Sequence, residues 1–329
     1  MPASFVPTPP ALRRDRAAQS PADLAEGLTS DPPHLPYRLL WDRHNSALYD
    51  RIREQPEYYL DRAEMSLLRA HAPAIAAATG ARTLIELGAG SGEKALPLLR
   101  HMPAPAAYRP VDLSSGALDS LADRLLRASP GTDVRPVAAD FTRPWPPQLL
   151  APGPGPVLAT FLGSTLGNLL PDERHGLFAR LAHGLHPGDA LLLGVPLLLE
   201  EPAAMTAAYR DAAGLMETFY LHCLRILNRD FGADFDLNAW AHQVGWNADK
   251  RRVEIGLRAF TRQYVTLPGS PDPHRLAFAP DQVLRAAVAA RFTPAHLDGE
   301  LAAHGFDTER RLPDPTDRYM LLLARRNGG

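Results

Sequence analysis

The sequence predicts an α/β fold, a doubly wound and mostly parallel sheet accompanied by a second, α+β lobe. Three observations predict it. From about residue 81 to 196, short apolar runs alternate with amphipathic helical patterns, as expected of strands covered on both faces by crossover helices. The first of those runs ends in three alternating glycines that open a helix, "LIELGAGSGEKALPLL". The alternation then stops near residue 197 and resumes only close to the C-terminus, so the intervening chain belongs to a different body.

Each element follows from its local pattern. There are 33 prolines in 329 residues, about twice the usual share of roughly 5%. Those in "MPASFVPTPP" and "DPPHLP" make residues 1–36 a proline-rich leader, poorly ordered or strapped along the surface. Residues 37–80 are expected to be a helical part of the second lobe, with two helices interrupted at "QPEYYLDR". The core spans 81–197. Its strands are "TLIEL" (83–87), "YRPVDL" (108–113), "VRPVAAD" (134–140), "VLATFLG" (157–163) and "ALLLGVP" (190–196). Helices follow from about Glu93, over "SGALDSLADRLLRA" and over "PDERHGLFARLAHGL". Residues 198–290 return to the second lobe. They carry helical pattern over "PAAMTAAYRDAAGLMETFYLHCLRILNRDFG", then an antiparallel-type strand at "RVEIGLRAFTRQYVTL" (252–267). Residues 291–329 supply a helix, "PAHLDGELAAHG", and a hairpin of "DTERRL" and "DRYMLLLA" that completes the core sheet.

Composition excludes several function classes. With 45% hydrophobic and 22% charged residues the chain is globular. A net charge of −2 offers no basic surface for nucleic acid or an anionic membrane. Cys223 is the only cysteine, which removes an internal disulfide or a multi-cysteine zinc site and suits a reducing compartment. The apolar stretch 190–199 is far shorter than the roughly 20 residues of a membrane span. The N-terminus has no apolar core of a secretory signal. These features predict a soluble, cytoplasmic protein without a multi-cysteine metal site; a monomer acting on a small molecule, with no metal, is the accompanying expectation.

A strand running through glycines into a helix N-terminus suits an anionic or polar ligand that needs close backbone approach. Gly88, Gly90 and Gly92 give G-x-G-x-G, and Glu93 stands where a dinucleotide fingerprint has its third glycine. No G-K-[ST] follows, so the turn is not a P-loop either. Glu86 before the first glycine, the turn itself, and Asp112 at the end of the second strand together suit S-adenosylmethionine, with S-adenosylhomocysteine as product. Asp112 follows Gly88 by 24 residues, close to the spacing of about 20 at which an acid reaches ribose hydroxyls. Asp140 and Phe141 end the third strand, where they are placed to bind the adenine amine and pack on its ring. Alone the glycines are also ordinary turn residues; the three acids at successive strand ends favour the cofactor. Lys94 is one of only two lysines, and a cation in the first turn of a helix is unfavourable without a nearby anion. The methionine carboxylate of the cofactor would be such an anion.

The segments "LPYRLLWD", "LYDRIREQPEYYLDRAE", "ELGAGSGEK", "PVDLS", "FLGSTLGN", "AAYRDAAG" and "LNRDFGADFD" resemble, in order, the histidine Nα-methyltransferases of ergothioneine biosynthesis. The likeness runs from about residue 35 to 325. It implies a two-lobed class I methyltransferase with a Rossmann-like core, of the kind that methylates the α-amino group of histidine. By motif it implies cofactor contacts at Gly88, Lys94, Asp112, Asp140 and Phe141. It also implies that Tyr58 lies near the substrate side chain, and that Asn168 and Tyr209 hold the amino and carboxylate groups. Each has a plain structural reading too: Tyr58 as core, Tyr209 as helix packing, Asn168 as a cap for the helix after it. A catalytically silent S-adenosylmethionine-binding partner protein is the alternative from another class.

Three departures from the family pattern bear on the substrate. Trp41 replaces the tyrosine beside the amine. The family's I-E-M reads Val253-Glu254-Ile255. Its T-E-V-S-C-K-F, whose Glu and Ser meet the imidazole, reads Ala286-Ala287-Val288-Ala289-Ala290-Arg291-Phe292. Ala287, Ala289 and Ile255 therefore predict a larger and more apolar side-chain pocket, suited to a bulky apolar or aromatic amino acid.

Overall fold

The computed structural model describes residues 21–328, apart from 105, 115–116, 120, 122–123, 126–130, 150–152 and 270–272. In chain order the strands are β1 (Thr83–Leu87), β2 (Ala107–Asp112), β3 (Asp133–Val134), β4 (Val137–Ala138), β5 (Val157–Phe161) and β6 (Ala190–Pro196). They continue as β7 (Trp240–Asn247), β8 (Arg252–Ala259), β9 (Gln263–Leu267), β10 (His274–Phe278), β11 (Val283–Ala290), β12 (Phe306–Pro313) and β13 (Tyr319–Arg326). Among the described residues the chain forms two compact units. The first comprises Leu60–Leu199 and the chain from Ala290; the second comprises the described residues before Leu60, and Glu200–Ala289.

The first unit is built on an eight-stranded sheet in the order β12-β13-β6-β5-β1-β2-β3, with β4 also paired to β2. The pairs among β1 to β6 are parallel, and β13 joins β6 antiparallel. All five residues of β1 and all seven of β6 are buried, which explains why β6 reads as a continuous apolar run and β1 as a mostly apolar one, without polar–apolar alternation. The helix Pro171–Gly184 buries Leu177, Phe178 and Leu181, spaced to share one helical face, in the same core as Leu87, Phe161, Leu193 and Leu322. Each such side chain contributes about 1.5–3 kcal/mol on burial. Strand order reverses between β1 and β5, so the crevice at their carboxyl ends is the topological switch point where open α/β sheets bind ligands.

The second unit contains a three-stranded sheet, β11-β8-β7, and the pair β10-β9. The helix Leu215–Phe231 packs on β7 and β8 and on the helix Arg43–Arg53. Its start is fixed by Asp211, whose carboxylate accepts from the amides of Leu215 (2.7 Å) and Met216 (2.8 Å).

Several expectations need correction. The proline-rich leader does not extend to residue 36. Pro21–Thr29 is a helix whose Leu24, Ala25 and Leu28 are buried, and His34 bridges to Arg285. Residues 1–20 lie outside the described residues. The division between units falls at Tyr59/Leu60 rather than at 80, and the helix Tyr59–Thr79 belongs with the large sheet. The third strand is two short pieces on either side of Pro136, which has no amide hydrogen for the ladder. The run 252–267 is two strands separated at residues 260–262. The helix expected over 115–128 lies largely outside the described residues; Leu118, Leu121 and Leu125 within it are buried.

Candidate functional site

The glycine turn is a left-handed loop tied down on one side and open on the other. Gly88, Gly90 and Gly92 have φ of 72°, 53° and 71°, a region that costs other residues roughly 1–2 kcal/mol each. A Cβ on Gly90 would meet nothing within 4 Å, so that face of the turn is clear for a ligand. On its other side the turn is held to β2. The amides of Gly88 and Ala89 donate to the Val111 carbonyl (2.8 and 3.0 Å), and that of Gly90 donates to Asp112 Oδ2 (2.9 Å). Asp112 Oδ1 accepts from the Ser114 amide at 2.8 Å. Burial holds the Asp112 carboxyl above its ordinary range, opposed by the amides of Ser114, Gly90 and Leu113. The two residues read from sequence as turn and ribose acceptor are therefore one hydrogen-bonded unit.

Two of the residues expected at the cofactor, Glu86 and Lys94, have partners within the fold. Glu86 lies beneath the turn, 1% exposed, and its carboxyl accepts from the Tyr108 hydroxyl. Burial pushes its pKa up to about 8, against the lowering effect of Tyr108 and Lys94. A group so enclosed supports the turn from within the core. Lys94 has its anions within the fold: Glu64 Oε2 at 2.5 Å and Asp61 Oδ1 at 3.1 Å, both on the helix Tyr59–Thr79. Two carboxylates of that helix thus hold its ammonium in place.

Asp140 and Phe141 stand at the next strand end. Asp140 Oδ1 accepts from the Thr142 amide (2.9 Å) and hydroxyl (2.5 Å), closing its own turn. Phe141 packs edge-on against Phe161 at 5.1 Å, and its ring edge lies 3.7 Å from where a Cβ on Gly88 would stand. It thus borders the glycine turn from within the core. Across the switch point, the loop after β5 leads through Gly163 and Ser164 into a 3-10 turn, Thr165–Asn168. Asn168 is not the cap of the next helix. That helix begins at Pro171, and Glu173 Oε2 takes the Leu170 amide at 2.7 Å.

In the second unit, Trp41 is the centre of an aromatic group. Its ring meets Tyr37 at 5.9 Å, Tyr49 at 5.2 Å and Phe219 at 5.8 Å, all edge-on. Tyr58 joins through Tyr49, the two hydroxyls 3.0 Å apart. Tyr58 and Tyr209 are both buried. Ile255 faces Val244 across the β7–β8 ladder and is buried, as are Ala287 and Ala289 on β11. His242, opposite Leu257 in the same ladder, stacks on Tyr220 at 5.3 Å, and burial pushes its pKa down to about 4.

Sequence reasoning missed Glu64, Tyr108 and Tyr319, the buried partners that fix Lys94, Glu86 and the loop after β5. A carboxylate three residues beyond Asp61 on a largely apolar helix face was the available signal for Glu64. Tyr37, Tyr49 and Phe219 carried none beyond being aromatic. Among the described residues, no group of three or more His, Cys, Asp or Glu is placed to hold a metal ion. No described helix is long and apolar enough to cross a membrane.

Comparison with known proteins bears on this geometry. Residues 20–326 match the family model of the histidine-specific, S-adenosylmethionine-dependent methyltransferases. The chain is 37% identical over 317 residues to the histidine N-alpha-methyltransferase of Mycolicibacterium smegmatis, covering 95% of this chain and 97% of the relative. Against the protein of the same name from Mycobacterium tuberculosis, identity is 36% over 305 residues, with coverage of 92% and 93%. The L-tryptophan methyltransferase of Psilocybe serbica is 26% identical over 339 residues, with coverage of 94% and 93%.

Proposed function

This chain belongs to the histidine-specific, S-adenosylmethionine-dependent methyltransferase family, and on that premise we propose that it methylates the α-amino group of a free amino acid bearing a bulky apolar or aromatic side chain. S-adenosylmethionine, when bound, supplies a methyl group carried on a sulfonium. The clear face over Gly90 fits close backbone approach of such a ligand, Asp112 suits its ribose hydroxyls, and Asp140 and Phe141 suit its adenine. Lys94 suits its carboxylate, held in place beforehand by Asp61 and Glu64. Methylation of nitrogen needs a neutral amine whose lone pair points at the methyl carbon. The Asn168 amide oxygen is suited to accept an amine N–H and so aim that lone pair, and Tyr209 to bind the head group. Alignment and exclusion of water are then the main contributions, and no acid–base triad is needed.

The observation that carries the side-chain preference is the pair Ala287 and Ala289, 9% and 3% exposed. Neither offers a side-chain hydrogen bond where the family supplies a carboxylate and a hydroxyl. Leaving a buried ring N–H or nitrogen unpaired costs about 1–3 kcal/mol per group, roughly 5- to 150-fold in kcat/KM. The tryptophan-named relative, similar along nearly its whole length, supports an aromatic acceptor. A second reading, histidine itself, is favoured by the 37% identity to the Mycolicibacterium smegmatis protein. Comparing kcat/KM for histidine, tryptophan, tyrosine and leucine, with products read by mass, separates the two. A clear preference for histidine refutes the proposal, whereas improved histidine turnover in Ala287→Glu with Ala289→Ser supports it.

A further inference from the structure

We infer that Glu64 is a positioning residue that locks the loop after β5, and with it Asn168, to the helix of the glycine turn. The inference rests on the reading of Asn168 as the residue that meets the acceptor amine. Glu64 is 0% exposed, and a buried carboxylate is tolerated only when paired and hydrogen-bonded. Its partners come from three separate stretches of chain. Lys94 Nζ donates at 2.5 Å, the Gly163 amide reaches both carboxylate oxygens at 2.9 Å, and the Tyr319 hydroxyl donates to Oε1 at 2.8 Å. Room for the carboxylate comes from a missing side chain on β6. A Cβ on Gly194 would stand 1.8 Å from Glu64 Oε1 and 3.0 Å from the Tyr319 oxygen.

The same network holds a strained backbone. Ser164 has φ of 60° without being glycine, a conformation that persists only where the surroundings enforce it. The enforcing group is the Tyr319 oxygen, which accepts from both the amide and the hydroxyl of Ser164 at 3.2 Å. Four residues beyond Ser164 the 3-10 turn ends at Asn168. Glu64 therefore grips the loop directly at Gly163 and, through Tyr319, at Ser164. Its remaining contact is the cation expected to meet the cofactor. A misplacement of about 1 Å at an aligning residue costs on the order of a hundredfold in rate, so the grip matters to turnover even though Glu64 touches neither reactant.

The arrangement has a signature that a merely structural residue lacks. Glu64 competes with any anionic ligand for Lys94. Glu64→Gln keeps the shape, removes the competing charge and weakens the contacts to Gly163 and Tyr319. Cofactor affinity should then hold or tighten while the loop loosens and turnover falls. Tyr319→Phe loosens the loop from the other end and serves if Glu64→Gln does not fold. The full-length variants would be compared with the wild type by hydrogen exchange of peptides spanning 162–168, by calorimetry with S-adenosylmethionine, and by turnover of the amino acid the wild type methylates best. The expected result is exchange in 162–168 about tenfold or more faster than in the wild type while β1 and β2 are unchanged, a Kd unchanged or lower, and kcat reduced about tenfold or more. Unchanged exchange in that segment, or cofactor affinity that falls in step with kcat, overturns the assignment. If the wild type methylates no amino acid, the proposed function fails on its own, and exchange and calorimetry alone decide the role of Glu64.

Discussion

Replacing Glu86 by glutamine should make the protein's stability less sensitive to pH, by an amount that follows from the burial of this side chain. Glu86 is 1% exposed beneath the glycine turn, bonded to Tyr108, and its pKa is pushed up from 4.5 to about 8. Below pH 4.5 both folded and unfolded chains carry the proton. Between 4.5 and about 8 the unfolded chain has lost it while the folded one keeps it. Unfolding in that window releases a proton, so this group's contribution is fully present at low pH and is lost as pH rises toward 8. One pKa unit corresponds to about 1.36 kcal/mol, so from pH 5.5 to 7.5 the loss is about 2.7 kcal/mol. Glutamine keeps the shape and cannot titrate. Urea unfolding of wild type and Glu86→Gln at both pH values isolates the effect, because other titrating groups cancel in the double difference. The variant should gain about 2–3 kcal/mol relative to wild type between pH 5.5 and 7.5. A double difference below about 0.5 kcal/mol would mean that Glu86 is ionised in the fold and that burial does not govern it.

Asp112→Ala should raise the Kd for S-adenosylmethionine about 10- to 150-fold, since hydrogen bonds to a charged group contribute about 1.5–3 kcal/mol and the Gly90 amide loses its acceptor as well. Unchanged affinity by calorimetry would remove Asp112 from the cofactor site. Asn168→Ala should leave that Kd within about twofold while lowering kcat and acceptor affinity about tenfold. An equal loss of cofactor binding would put Asn168 on the cofactor side of the site.

The parallel core was legible because its signals are local. Strands buried on both faces are mostly apolar, as "ALLLGVP" is throughout and "TLIEL" is apart from Thr83 and Glu86; a turn with three left-handed positions favours glycine, and Gly88, Gly90 and Gly92 supply it. Where a second local signal competed, the reading slipped. The prolines of "MPASFVPTPP" and "DPPHLP" suggest a leader up to residue 36 that is poorly ordered or strapped along the surface, yet Leu24, Ala25 and Leu28 form a buried helical face. Pro136 split the third strand for the opposite reason, a missing donor inside an apolar run. The alanines at 287 and 289 carry no pattern of their own, since an alanine in a strand is silent. Only the resemblance to a family with polar residues there made them informative.

The charged residues illustrate a limit of a different kind. Lys94 drew attention because a cation at a helix start needs an anion, and that inference about physics was sound. Within the fold its anions are Asp61 and Glu64, the latter thirty residues upstream in a hub that also draws on Gly163, Gly194 and Tyr319. No spacing rule links those positions, because a helix, two strands, the loop after β5 and the glycine turn bring them together. What the sequence does show is each member's oddity taken singly: a carboxylate among apolar helix residues, a glycine inside a buried strand, a tyrosine opening the apolar run "YMLLLA". Each such oddity costs stability by itself. The cost is offset only if the odd residues meet, so several of them in one domain are grounds to expect a buried polar hub, even before any partner can be assigned.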